Sequence, residues 1–187
     1  MNNPPRYVMK VSVHLGDLTE APADAVCTST NPRLSLMAGT GGAVRDRGGF
    51  DVLRACEAIV QAAGGSVRIG SAHPTSAGTL PFKLVIHCVA SNAVHLSSAE
   101  IVRVCVKNAL ACADSAACRS LAMPVFATGH AGLKFDRAVN AMAEALRDAS
   151  TLVEQVIIVI NEPDRAEMAR RIISSVIEQR NAEGVSS

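Results

Sequence analysis

The feature that most constrains the fold is an alternation. Short, β-branched apolar runs at 9–14, 24–27, 72–76, 84–89, 121–126 and 156–160 are separated by longer stretches with helical spacing. Runs this short suit strands buried on both faces, and their alternation with helices marks an α/β fold with a mixed, largely parallel sheet. Between them, 50–63 repeats apolar residues at Phe50, Leu53, Cys56 and Val60, and 135–147 does so at Phe135, Val139, Met142 and Leu146, as amphipathic helices on a sheet would. The stretch 97–113 opens with Ser97 as a cap and Glu100 completing a capping box, and is apolar on most sides. A last helix starts after Asn161-Glu162 with Pro163 in its first turn and docks through Met168, Ile172, Ile173, Val176 and Ile177. One domain over 9–179 is expected, with a flexible terminus at 1–8 and a polar, disordered tail at 180–187.

A chain of 187 residues buries one substantial core but not two independent ones. The net charge is +1 with dispersed basic residues, and only 3% of residues are aromatic, so nucleic acid is not an expected partner. No run approaches the roughly 20 apolar residues of a membrane span, and MNNPPRY is not a signal sequence. An intracellular protein, cytoplasmic or nuclear, is expected. Cys27, Cys56, Cys88, Cys105, Cys112 and Cys118 lack the paired short spacings of zinc sites and read as reduced core residues. His87 and Cys88 are adjacent in a strand and so point to opposite faces; no metal and no cofactor is expected.

Three segments at predicted strand ends carry the chemistry: Gly16-Asp17-Leu18-Thr19, the stretch LMAGTGGAVRDRGG at 36–49, and ATGHAGL at 127–133. Ligands of open α/β sheets bind beyond the carboxyl ends of the strands. Glycine lets backbone approach a ligand, and N–H groups at a helix start attract phosphate oxygens, so two facing glycine loops suit a diphosphate. Taken alone, either loop reads equally well as a tight turn. Gly39-Thr40-Gly41-Gly42-Ala43-Val44 lacks the third glycine of a dinucleotide fingerprint, and Gly132-Leu133-Lys134-Phe135 fails the nucleoside-triphosphatase pattern. Asp17 suits either a purine amine or a helix cap, and Asn31 either a ribose hydroxyl or an Asx turn.

In this order and spacing, LGDLTEAPADAV, TSTNPRL, the glycine stretch, LPFKLVIHC and PVFATGHAGL resemble a macrodomain, the ADP-ribose-binding module. The close DRGG and VKNALACAD most resemble the macrodomain of macro-type histone variants. The resemblance implies a three-layer α-β-α sandwich around a mixed, largely parallel six- or seven-stranded sheet. It implies Asp17 and Leu18 at the adenine, and Gly39, Thr40, Gly41, Gly42, Ala43 and Val44 around the distal ribose and diphosphate. Asn31 matches a ribose contact, and Ala127, Thr128, Gly129, His130, Ala131, Gly132 and Leu133 match the phosphate-cradling loop. Its implied partners are ADP-ribose or mono-ADP-ribosylated protein, with O-acetyl-ADP-ribose as a further ligand.

The departures matter as much. Hydrolytic members commonly carry Asn-Ala-Ala-Asn where this chain has Thr28-Ser29-Thr30-Asn31, and an Asp where Gly41 aligns. That points to a reader with little or no catalytic activity. The alternatives are a hydrolase acting on mono-ADP-ribosyl protein or O-acetyl-ADP-ribose, with Asp46 as the nearest replacement acid, and a pocket adapted to another nucleotide or RNA. Asn161 stands where many members place an aromatic ring against adenine, which costs on the order of 1 kcal/mol of stacking. Ala127 replaces a usual glycine and is expected to keep a negative φ.

Overall fold

The computed structural model describes residues 9–183, with side chains as far as residue 178. The strands are β1 (Lys10–Leu15), β2 (Ala25–Thr30), β3 (Ala72–Thr75), β4 (Leu84–Val89), β5 (Ser120–Pro124) and β6 (Gln155–Ile160). The helices are α1 (Gly39–Gly48), α2 (Phe50–Ala62), α3 (Ala99–Ser115), α4 (Phe135–Arg147) and α5 (Pro163–Glu183), with a 3₁₀ turn at Leu18–Glu20. One six-stranded sheet runs in the order β1-β6-β5-β2-β4-β3. All its pairings are parallel except β3 against β4.

Alternation along the strands divides the core in two. Cys27, Ile86, Cys88, Met123 and Ile158 pack under α3, α4 and α5. Val26, Val85, Val89 and Ile157 pack under α1 and α2 with Val44 and Val52. The result is the expected three-layer sandwich. Five parallel strands thereby send their carboxyl ends to one edge. At the opposite edge the Asp24 carboxylate accepts the N–H groups of Arg119 (2.7 Å) and Ser120 (3.1 Å) and pairs with Lys83 (3.1 Å). The Arg119 amide above all holds the Asp24 carboxyl below its ordinary range, so one ionised side chain fixes the start of three neighbouring strands.

Several local expectations are corrected. The stretch 36–49 is a loop only as far as Ala38; from Gly39 it is α1, and its close is pinned where Gly48 meets Gly78, at which an added Cβ would lie 1.9 Å from the Gly48 carbonyl oxygen. Strand β2 runs to Thr30 rather than ending at Cys27. β1 and β3 are edge strands and are not buried on both faces. Ser98, not Ser97, caps α3 by accepting the Ile101 N–H, while Ser97 donates to the Ala90 carbonyl. Phe50 begins α2 and is 80% exposed, because the helix starts at Gly49 with that side chain beyond the sheet. α5 docks through Ala166, Ala169, Ile173 and Val176, and Met168 is exposed. Alanines let α5 approach α4 closely, which a spacing of large apolar residues does not reveal. α5 also continues through residues 181–183, expected as tail; 1–8 and 184–187 lie outside the described residues.

Candidate functional site

A cleft of about 1030 Å³ runs across the carboxyl ends of the parallel strands. At the β1/β6 end it is walled by Gly16, Asp17, Leu18, Asn161, Glu162 and Arg165. The Gly16 N–H donates to the Ile160 carbonyl, so both strand ends turn into the cleft together. Asp17 realises its capping role: Oδ1 accepts the Thr19 N–H (2.8 Å) and hydroxyl (2.7 Å), and Oδ2 pairs with Arg47 (2.9 Å), which also reaches Glu20. The Thr19 hydroxyl first, then its amide and Arg47, hold the Asp17 carboxyl below its ordinary range. The same side chain thus caps the turn and presents an ionised oxygen edge.

The middle of the cleft lies between two backbone segments. On one side Met37, Ala38, Gly39, Thr40 and Ala43 line it, with the Leu36 and Met37 carbonyls held by the Arg45 guanidinium (3.0 and 3.4 Å). The N–H groups of residues 39–41 open α1 and have no partner among the described residues; the first bond of the helix is from Gly42 to the Ala38 carbonyl. Gly41, Gly42 and Val44 do not line the cleft: Gly41 turns toward Leu36, Gly42 continues the helix, and Val44 is fully buried in the core. Opposite lies the 127–133 turn. Ala127, Thr128, Gly129, His130 and Ala131 line the cleft, whereas Gly132 and Leu133 close the turn by donating to the Gly129 and Ala127 carbonyls. The four consecutive N–H groups of residues 128–131 have no hydrogen-bond partner among the described residues.

Ala127 is a correction of substance. Its φ is +64°, in the left-handed region that disfavours a side chain, and its N–H donates to Ser29 Oγ of β2 (3.1 Å). Of the four non-glycine residues with positive φ among those described, Leu34, His95 and Ala127 all sit in loops at this edge. Backbone strain collects where a site over-determines the chain.

At the β2/β4 end, Asn31 makes an Asx turn, its Oδ1 accepting the Arg33 (3.0 Å) and Ser35 (3.4 Å) N–H groups, which leaves its side-chain NH₂ free toward the cleft it lines. Sequence reasoning missed Ser91 and His95 here. The rule about strand carboxyl ends, applied to β4, would have found them. The Asn92 carboxamide ties their loop by accepting from Val94 (3.0 Å) and Leu96 (2.8 Å), and His95 meets His130 across the cleft with ring centroids 5.9 Å apart. Apart from these two imidazoles no aromatic ring among the described residues lines the cleft, and Asn161 offers none at the other end. The acids that line it are Asp17 and Glu162; Asp46 is turned away onto Arg45 (2.7 Å).

Beneath the site, His87 is 0% exposed between Thr28 and Thr75, each hydroxyl 3.0 Å from a ring nitrogen. Thr75 donates its proton to the Ser76 carbonyl, so it accepts from Nε2–H, and Nδ1 accepts from Thr28. Burial lowers the His87 pKa to about 4. Cys88 points into the other core layer, and all six cysteines are free, with burial raising the thiols of Cys56, Cys88 and Cys105. Among the described residues no group of three or more His, Cys, Asp or Glu could hold a metal ion, and no helix is long and apolar enough to cross a membrane.

The architecture is an open, mostly parallel α/β sandwich whose cleft lies at the strand carboxyl ends, between a helix start and a turn of backbone amides. The family model described as Macro domain matches residues 27–142. The chain belongs to the macrodomain family. A Mycobacterium tuberculosis protein is 32% identical over 140 residues, which is 75% of this chain; the chain spans only 38% of that relative's length. The O-acetyl-ADP-ribose deacetylase of Salmonella typhimurium is 30% identical over 170 residues, covering 88% of this chain and 94% of that protein. A point variant of the Oceanobacillus iheyensis macrodomain with ADPR superposes with a TM-score of 0.79 at 22% identity, covering 89% of this chain and 92% of that one. At that identity the likeness is one of fold.

Proposed function

We propose that this domain binds ADP-ribose, free or attached to protein, and holds it with little or no turnover. The observation that carries the reading is the run of four unpaired N–H groups at 128–131 facing the unpaired start of α1. Backbone amides and a helix N-terminus are the natural complement of a diphosphate. The ionised edge of Asp17 suits an exocyclic purine amine at one end, and the Asn31 NH₂ and Ser91 suit ribose hydroxyls at the other. Calorimetric titration with ADP-ribose tests this. Saturable heat and a raised melting temperature are expected; neither at millimolar ligand refutes it.

The second reading, a hydrolase of O-acetyl-ADP-ribose or of mono-ADP-ribosyl protein, is favoured by the name of the Salmonella relative. Against it, neither cleft acid stands at the Asn31 end, and Gly41 faces the core. General-base activation of water needs a group within about 3 Å of that water. Release of acetate or of label above the rate of a Gly129→Glu control decides between the two.

A further inference from the structure

Three observations converge on one contact. Ala127 occupies the left-handed region at φ +64°, which a residue with a Cβ adopts only under restraint. The restraint that reaches its amide from outside the turn is Ser29 Oγ, which accepts the Ala127 N–H at 3.1 Å from β2, the neighbouring strand. Directly after Ala127 come the unpaired amides of 128–131, whose directions are set by how the Ala127 peptide is turned. The other bonds of the turn, from Thr128 to Val125, Gly132 to Gly129 and Leu133 to Ala127, are internal to it and move with it.

We infer that Ser29 is a positioning residue: its hydroxyl latches the strained Ala127 peptide to the sheet and so aims the four following N–H groups into the cleft. A glycine at 127 holds this conformation without strain; an alanine holds it only while the latch is closed. The latch therefore sets the fraction of molecules whose amide cradle is ready for an anion, and apparent affinity scales with that fraction. The Ser29 side chain also lines the cleft, so a direct contact with ligand has to be separated from action through the turn.

The inference rests on the ADP-ribose reading for its binding readout and is tested in two arms. In the first, ADP-ribose is titrated into the wild type, Ser29→Ala and Ser29→Ala/Ala127→Gly. Ser29→Ala is expected to weaken binding roughly tenfold, the worth of one partly buried hydrogen bond, and the added glycine to return affinity to within about threefold of wild type. Unchanged affinity in Ser29→Ala overturns the inference. So does a loss that glycine leaves unrepaired, because a direct Ser29–ligand contact cannot be rescued at 127. In the second arm, with no ligand, amide exchange of the Ala127 N–H and the chemical shifts of residues 128–131 are compared. Faster exchange and shifted resonances in Ser29→Ala are expected, and a spectrum identical to wild type overturns the inference even if ADP-ribose binds nowhere. Should Ser29→Ala fail to fold, the double variant, free of the strain, is expected to fold; its failure also overturns the inference.

Discussion

Acidification between pH 6.5 and 4 is expected to unload stability through His87. The ring lies buried between Thr28 of β2 and Thr75 of β3, with a hydroxyl on each nitrogen, and burial, helped by His73 on β3, lowers its pKa to about 4. Unfolded, the side chain titrates near 6.5. Above that value both states are neutral and the group contributes no pH dependence. Below it the unfolded chain takes up a proton that the folded chain refuses. Stability present above pH 6.5 is therefore lost at about 1.4 kcal/mol per pH unit, to a total of about 3 kcal/mol by pH 4. Carboxylates add their own slope, so the measurement is a difference. Urea unfolding of wild type and His87→Gln is compared at pH 7 and pH 4.5. At pH 7 the variant is less stable by about 1–3 kcal/mol, since two buried threonine hydroxyls lose good partners. At pH 4.5 the gap closes by about 2 kcal/mol. A gap that is the same at both values refutes the argument, as does an imidazole resonance that titrates near 6.5 in the folded protein.

Gly129→Glu is expected to abolish ADP-ribose binding while changing stability by less than about 0.5 kcal/mol, because nothing lies within 4 Å of the added Cβ and its φ is not left-handed; calorimetry and a melting curve check both halves. Gly78→Ala is expected to cost at least about 3 kcal/mol, read from urea midpoints, since its Cβ would fall 1.9 Å from the Gly48 carbonyl oxygen at a φ of +61°. Asp17, held below the ordinary carboxylate range chiefly by the Thr19 hydroxyl, is expected to stay ionised from pH 7 to pH 5. The affinity for ADP-ribose should then hold steady from pH 7 to pH 5, and a decline across that span tracing to Asp17 by its loss in Asp17→Ala would refute the assignment.

The order of strands and helices was legible because apolar runs of strand length alternate with helical spacing, and helix starts such as Pro163 announce themselves chemically. What failed failed for tertiary reasons. Four glycines in 39–42–48 and their neighbours read as loop, yet α1 forms there because packing of Val44 and the Arg45 grip on 36–37 outweigh propensity. Of the residues marked for the ligand, Gly41, Gly42 and Val44 do not line the cleft, since one face of a helix must serve the core, and Gly132 and Leu133 do not because they close the turn behind it. His95 and Ser91 were overlooked because their loop, held by an Asx turn, carries no glycine signature, and only its place after β4 marks it. The sign of φ at Ala127 was misjudged because strain is a property of the surroundings, and the Ser29 hydroxyl that sustains it comes from 98 positions away.

The parallel pairing of β1 with β6 joins residues 10–15 to 155–160, and the cleft wall extends from Gly16 to Arg165. During synthesis, then, the wall at the β1/β6 end cannot be complete until the ribosome has released the segment beyond β6, however early the central strands have paired. A truncated product ending before that point would lack one whole end of the cleft. Ligand-dependent protection from proteolysis would accordingly report on closure of the entire sheet, and would separate finished domains from partly made ones more sharply than secondary-structure content does.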